Sequence, residues 1–143
     1  MNDAVVLDTD VVSYILKKDT RAQLYIPHLT GKIVVVSFMT LAELYRWAEE
    51  RHWGEHRKQQ MEQHVRNFVL FGFNRDLCRT WAQVMARTRR NGRQLSCADG
   101  WIAATAILYD LPLLTHNRRD FQHVPGLRLA SEEPPEPTLN GSH

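Results

Sequence analysis

The sequence predicts an α/β fold with a central, mainly parallel, five-stranded sheet flanked by helices in three layers. Three observations carry this. Short runs of β-branched and apolar residues recur along the chain, as in strands covered on both faces. Segments with apolar residues at helical spacing separate them. Strands alternating with helices build parallel sheets. The chain has 143 residues, 43% of them apolar and 24% charged, which suits one domain with its own core.

The elements follow in order. "AVVLD" is a short buried strand, and "DVVSYILKK" after it has helical spacing at Val11, Val12, Ile15 and Leu16, with Asp10 placed to cap it. "RAQLYIPHLTG" is a second helical piece ending near Gly31, and "KIVVVS" a second buried strand. "SFMTLAELYRWAEERHWG" is a helix with Leu41, Leu44, Tyr45 and Ala48 on one side. "EHRKQQMEQHVRNFV" is polar and helical, and "VLFGF" a third strand. "RDLCRTWAQVMARTRRNG" is amphipathic, with Leu77, Trp81, Val84 and Met85 on one face and a stop at Gly92. "SCADGWIAATAILYD" is an apolar helix rich in small residues, which predicts a central, tightly packed position. "LPLLT" and "LRLA" are the fourth and fifth strands. The organisation is one domain over residues 1–130 and a disordered Pro- and Glu-rich tail over 131–143.

Composition narrows the function. No apolar run approaches the ~20 residues of a membrane helix, and no basic segment precedes an apolar one at the N-terminus. Two cysteines, Cys78 and Cys97, are too few for a disulfide framework and match no zinc spacing. They read as reduced thiols of a cytoplasmic protein. The formal charge is +2, but the last 13 residues hold three Glu and no Lys or Arg, which leaves 18 basic against 13 acidic side chains before them. Arg87, Arg89, Arg90 and Arg93 cluster in "RTRRNGR", and Arg118 and Arg119 in "NRRD". That balance favours a polyanionic partner, although Arg-rich helix ends are also common solvated surface.

The acids fall where the strands end. Asp8 closes the first strand, and in parallel sheets ligands bind just beyond the carboxyl ends of strands. Glu43 follows the second strand within about two turns of helix and shares a side with Met39 and Trp47. Asp99 lies in the first turn of the small-residue helix, and Asn117 and Asp120 follow the fourth strand. Singly, each has an ordinary reading as cap, first-turn, surface or loop acid. Together they come from separate segments able to reach one sheet edge. Several carboxylates cannot share a site ionised without a cation. An oxygen-only set with water suits Mg²⁺ or Mn²⁺ rather than zinc. Such an ion lowers the pKa of a water and clamps phosphate oxygens.

The ordered blocks "LDTDVVS", "SFMTLAEL", "ADGWIAATA" and "LLTHNRRDF", spanning residues 5 to about 129, resemble the PIN-domain ribonucleases, and most of all the VapC-like toxins of type II toxin–antitoxin pairs. The resemblance implies a PIN-like fold and a metal-dependent ribonuclease that blocks translation by cleaving RNA, with tRNA or rRNA as target. It implies Asp8 and Asp99 as metal ligands, with Glu43 and Asp120 completing the catalytic acids. Thr9, Asp10, Ser37, Thr115 and Asn117 match polar positions around the site; the family often has an acid at the place of Asn117. A homodimer and a small antitoxin partner are also implied. The six arginines above are the candidate RNA backbone contacts.

Three other readings compete. "VVLDTDVV" also resembles the first motif of haloacid-dehalogenase-type phosphatases. That mechanism needs a downstream Lys and a late acidic pair, and the chain has no Lys after residue 58 and no such pair. "HWGEH", residues 52–56, matches an inverted zinc-protease pattern, but Gly54 interrupts the helix it needs. A catalytically silent PIN-like module would hold RNA through its arginines and lack the acids, which this chain keeps.

Overall fold

The computed structural model describes residues 3–134. Its elements, in order, are β1 Ala4–Leu7, α1 Thr9–Lys17, α2 Ala22–Leu29, β2 Ile33–Ser37, α3 Phe38–Glu50, α4 Glu55–Val65, β3 Val69–Phe71, α5 Arg75–Arg90, α6 Cys97–Leu108, β4 Leu113–Leu114, α7 Arg118–Phe121 and β5 Leu129–Ala130. All strand pairs are parallel and the sheet order is β3-β2-β1-β4-β5. β1 is central. Val5 pairs with Val34 of β2, and Leu7 with Leu114 of β4. The expected five-stranded parallel sheet is therefore present. The chain builds outward from β1 to β2 and β3, then crosses to β4 and β5. The strand order thus reverses beside β1, and in open parallel sheets ligands bind at the carboxyl edge of such a point.

Alternation along β1 separates two cores. Val6 faces a cluster with Val84, Ile102, Ala106, Leu113 and Phe121. Val5 and Leu7 face the opposite cluster with Val11, Tyr25, Leu44, Met61 and Leu114. One layer is thus built from α5, α6 and α7, the other from α1 to α4. Gly100 permits the tightest contact in the first layer. A Cβ there would lie 2.5 Å from Met85 Sδ and 2.9 Å from Trp81 Nε1. α5 and α6 run antiparallel, because Asn74 bonds Tyr109 and Trp81 Nε1 bonds the Cys97 carbonyl. The Arg87–Arg93 turn therefore lies at the end where α6 begins.

Three places differ from the expectation, and a fourth, the His52–His56 segment, agrees with it. The cap of α1 is Asp8, whose carboxylate accepts from the Thr9 amide at 2.8 Å. Asp10 sits in the first turn instead, because the helix starts as soon as β1 ends. The loop after β4 contains a one-turn helix, α7, too short for periodicity to reveal. His52, Glu55 and His56 do not share a helix. His52 lies in the turn after α3 with φ of 52°, and Glu55 begins α4. The predicted disordered tail lies outside the described residues from 135 onward. Its first residues, 131–134, are described, and Ser131, Glu132 and Glu133 hydrogen-bond to the body. Among the described residues no helix is long and apolar enough to cross a membrane, and Cys78 and Cys97 are free and exposed.

Candidate active site

The site begins with three strand ends that each turn directly into a helix or loop. β1 stops at Leu7, and Asp8 follows in extended conformation, only 6% exposed. Its Oδ1 accepts from the Thr9 amide and its Oδ2 from Thr115 Oγ1, both at 2.8 Å. Thr115 belongs to the segment just after β4, so β1 and its neighbour grip this carboxylate together. Asp10 is bound likewise, accepting from the Val11 amide at 2.6 Å and the His116 amide at 3.0 Å.

β2 ends in Ser37, fully buried, which caps α3 by accepting from the Met39 amide. α3 then presents Glu43. Thr9 Oγ1 donates to Glu43 Oε1 at 2.7 Å. That uses the Thr9 proton, so the buried Thr40 hydroxyl, 3.0 Å away, donates to Thr9 in turn. The unexpected half-burial of a Glu among Met39 and Trp47 is thus explained by a hydroxyl relay that fixes it.

Ser96 caps α6 by accepting from the Asp99 amide at 3.1 Å. This places Asp99 in the first turn, where the helix dipole favours a carboxylate. The S-x-x-D spacing of Ser96 and Asp99 was a readable capping signal. α7 supplies Asp120, whose Oδ2 accepts from Asn117 Nδ2. Asn117 and Asp120 are thus hydrogen-bonded to each other.

These acids sense one another. Burial, then the Asp10 carboxylate, and then that of Asp99 push Asp8 well above the usual carboxylate range, against the bonds from Thr115 and Thr9. Burial also raises Asp10. Burial, then Asp120, Glu43 and Asp10, push Asp99 up to about 6. Carboxylates from separate segments thus crowd one another, and burial with mutual repulsion holds Asp8 and Asp99 above the usual range. That is an arrangement a cation would relieve.

The donor set fits a hard divalent ion. Among the described residues no three Asp, Glu, His or Cys side chains stand together at ligand distance. Mg²⁺ needs no such cage, because it keeps several waters and takes one or two carboxylates.

The charge crowding has a measurable consequence. A group whose folded pKa is raised contributes stability that is complete below its unfolded value and lost as pH rises through the folded one. For Asp99 that window runs from about 4 to about 6. In chelator-treated protein the unfolding midpoint therefore falls between these pH values as pH rises. Added Mg²⁺ raises the midpoint more at pH 7 than at pH 5, since ligands must be deprotonated to bind. Differential scanning fluorimetry reads this, and a midpoint indifferent to Mg²⁺ at pH 7 would contradict the fit.

The arginines divide. Arg87, Arg89, Arg90 and Arg93 are exposed at the end where α6 begins. Arg118 is engaged with the C-terminal segment, donating from its guanidinium to the Ser131 carbonyl at 3.1 Å. Sequence reasoning missed Tyr25 and His116. Tyr25 is fully buried and its hydroxyl meets His116 Nδ1, a contact over 91 positions that no local pattern announces.

Comparison with known proteins adds the family context. A model of the PIN domain matches residues 5–127. Ribonuclease VapC1 of Haemophilus influenzae is 28% identical over 131 residues, covering 85% of this chain and 92% of that protein. The crystal structure of VapBC2 from Rickettsia felis, bound to a DNA fragment from its promoter, superposes with a TM-score of 0.80 at 19% identity over 90% of this chain and 98% of that one. VapBC-5 from Mycobacterium tuberculosis, a member of the VapBC family of toxin–antitoxin systems, gives a TM-score of 0.66 at 25% identity, covering 90% and 98%.

Proposed function

This chain belongs to the PIN-domain family, and from that premise we propose that it is a VapC-like, metal-dependent ribonuclease acting as the toxin of a toxin–antitoxin pair. The observation that carries the reading is the convergence of Asp8, Glu43, Asp99 and Asp120 at the carboxyl edge, with Asp8 buried at the topological switch point. The phosphatase resemblance of the first motif lapses with the family assignment.

Asp8 and Asp99 would hold Mg²⁺ or Mn²⁺. Bound there, the ion lowers the pKa of a water and neutralises charge on the phosphate. Glu43, held by Thr9, receives the proton of the attacking water. Asp120, oriented by Asn117, would add negative charge beside Asp99 for the cation. Asp10 joins α1 to the loop after β4 by accepting from the His116 amide. Thr115 holds Asp8, Ser37 starts α3, and Arg87, Arg89, Arg90, Arg93 and Arg119 supply backbone contacts to the RNA.

In the reaction the water oxygen forms a bond to phosphorus as the bond to the 3′-oxygen breaks. The RNA 2′-hydroxyl takes no part. Cleaved ends should therefore carry a 5′-phosphate and a free 3′-hydroxyl, mapped by ligation-dependent sequencing of RNA after brief induction. Ends with 2′,3′-cyclic phosphate would overturn this mechanism. The substrate class is a structured RNA such as tRNA or rRNA, cut where bases are unpaired.

Two partners belong to the same proposal. One is a small antitoxin, as the VapBC relatives support. The other is a second copy of the chain: Val69, Leu70 and Phe73 leave an exposed apolar edge at β3, with Phe73 72% exposed, which a homodimer would cover.

A further inference from the structure

We infer that Tyr25 and the segment 131–133 form a brace that positions the active-site loop after β4, so that Tyr25 is a positioning residue for cleavage. This rests on the ribonuclease reading above. The Tyr25 ring is fully buried, yet its hydroxyl carries no core function. It meets the Thr115 carbonyl at 3.3 Å, His116 Nδ1, and the Glu132 amide, which donates to it at 3.1 Å. Two of these belong to the residues that hold the acids. Thr115 donates to Asp8, and the His116 amide donates to Asp10.

The segment 131–133 grips the other side of the same loop. The Arg118 amide donates to Glu133 Oε1 at 2.9 Å, and the Arg118 guanidinium to the Ser131 carbonyl. Glu132 Oε2 lies 2.8 Å from His28 Nε2, which returns the segment to α2 beside Tyr25. The loop carrying Thr115, His116, Asn117 and Asp120 is thus held from within by Tyr25 and from outside by Glu133.

A backbone loop with few apolar anchors drifts unless its polar groups are tied. Drift here would move donors to Asp8 and Asp10 together with Asp120, and small displacements of supporting groups cost large factors in rate. The brace therefore acts first on turnover, through the groups that hold Asp8, Asp10 and Asp120.

Tyr25→Phe deletes the hydroxyl and keeps the ring. Expected are a kcat roughly tenfold lower, a smaller change in KM for RNA and an unfolding midpoint lowered by about a few degrees, because buried partners lose their bond. Glu133→Ala acts in the same direction. Because both release one loop, the double variant should lose little beyond the larger single loss. Hydrogen exchange of the segment 115–118, measured without RNA, should accelerate in each variant. Wild-type kcat in Tyr25→Phe, losses that multiply in the double variant, unaltered exchange, or a loss confined to KM would each overturn the brace. If instead the unaltered protein cleaves no RNA that Asp99→Asn spares, the ribonuclease reading falls, and the exchange measurement still decides whether Tyr25 holds the loop.

Discussion

Asp8→Asn and Asp99→Asn each lower metal-dependent RNA cleavage by about 10²–10³-fold or more, while the fold survives. The loss follows from charge: each substitution removes one of two proposed anionic ligands for the divalent ion. Survival of the fold follows from the hydrogen bonds. Asn at position 8 still offers a carbonyl oxygen to the Thr9 amide, keeping the α1 cap. Its amide donates to Thr115 Oγ1, which now accepts where it formerly donated. At position 99 the cap from Ser96 uses the backbone amide, so the side chain is not needed for it.

Both substitutions also remove a carboxylate whose ionisation burial and neighbours resist. The metal-free midpoint at pH 7 should therefore hold or rise, while the gain from added Mg²⁺ disappears. Functional acids kept at a cost to stability behave in this way. Single-turnover cleavage and thermal melts in chelator test both halves. Full activity in either variant removes the assignment of these two acids.

Phe121→Ala destabilises the protein by about 3–5 kcal/mol, the range for a buried aromatic cut to Ala. Phe121 is 1% exposed and packs in the cluster with Leu113, Ile102 and Val124. It is also the buried anchor of α7, a single turn that could not stay helical alone. Its removal leaves a cavity and frees Asp120, the residue before it. Against a total stability of ~5–15 kcal/mol, the change is large, and the melting midpoint should drop by roughly 10 °C or more. Urea denaturation gives the difference directly. Cleavage measured well below the midpoint should fall as well, because Asp120 faces Asp99 only while α7 is docked. A shift of a degree or two would mean that α7 does not depend on this ring.

The strands and longer helices were readable because their signals are local. "AVVLD" and "KIVVVS" are apolar without interruption, as central parallel strands require. The helix from Cys97 to Leu108 is announced by small residues and by a Ser three positions before an acid. Asp8 and Asp99 were legible as acids standing at element ends, and Glu43 as an acid among apolar helical neighbours. Less legible was the cap: Asp8 and Asp10 are both acceptable there, and only the abrupt end of β1 chose Asp8. The one-turn α7 lies below the length at which periodicity speaks. The segment 131–134 has the composition of a loose tail, but three of its residues find partners on the body.

By itself, then, the sequence determined which segments face water and which a core, and therefore the alternation of strand and helix and the acid that closes the first strand. Tertiary structure alone decided which acids meet. Asp8 is held by Thr115 across 107 positions and Glu43 by Thr9 across 34. Desolvation and Coulomb repulsion depend on distances in space, and those exist only once β1 has paired with β2 on one side and β4 on the other.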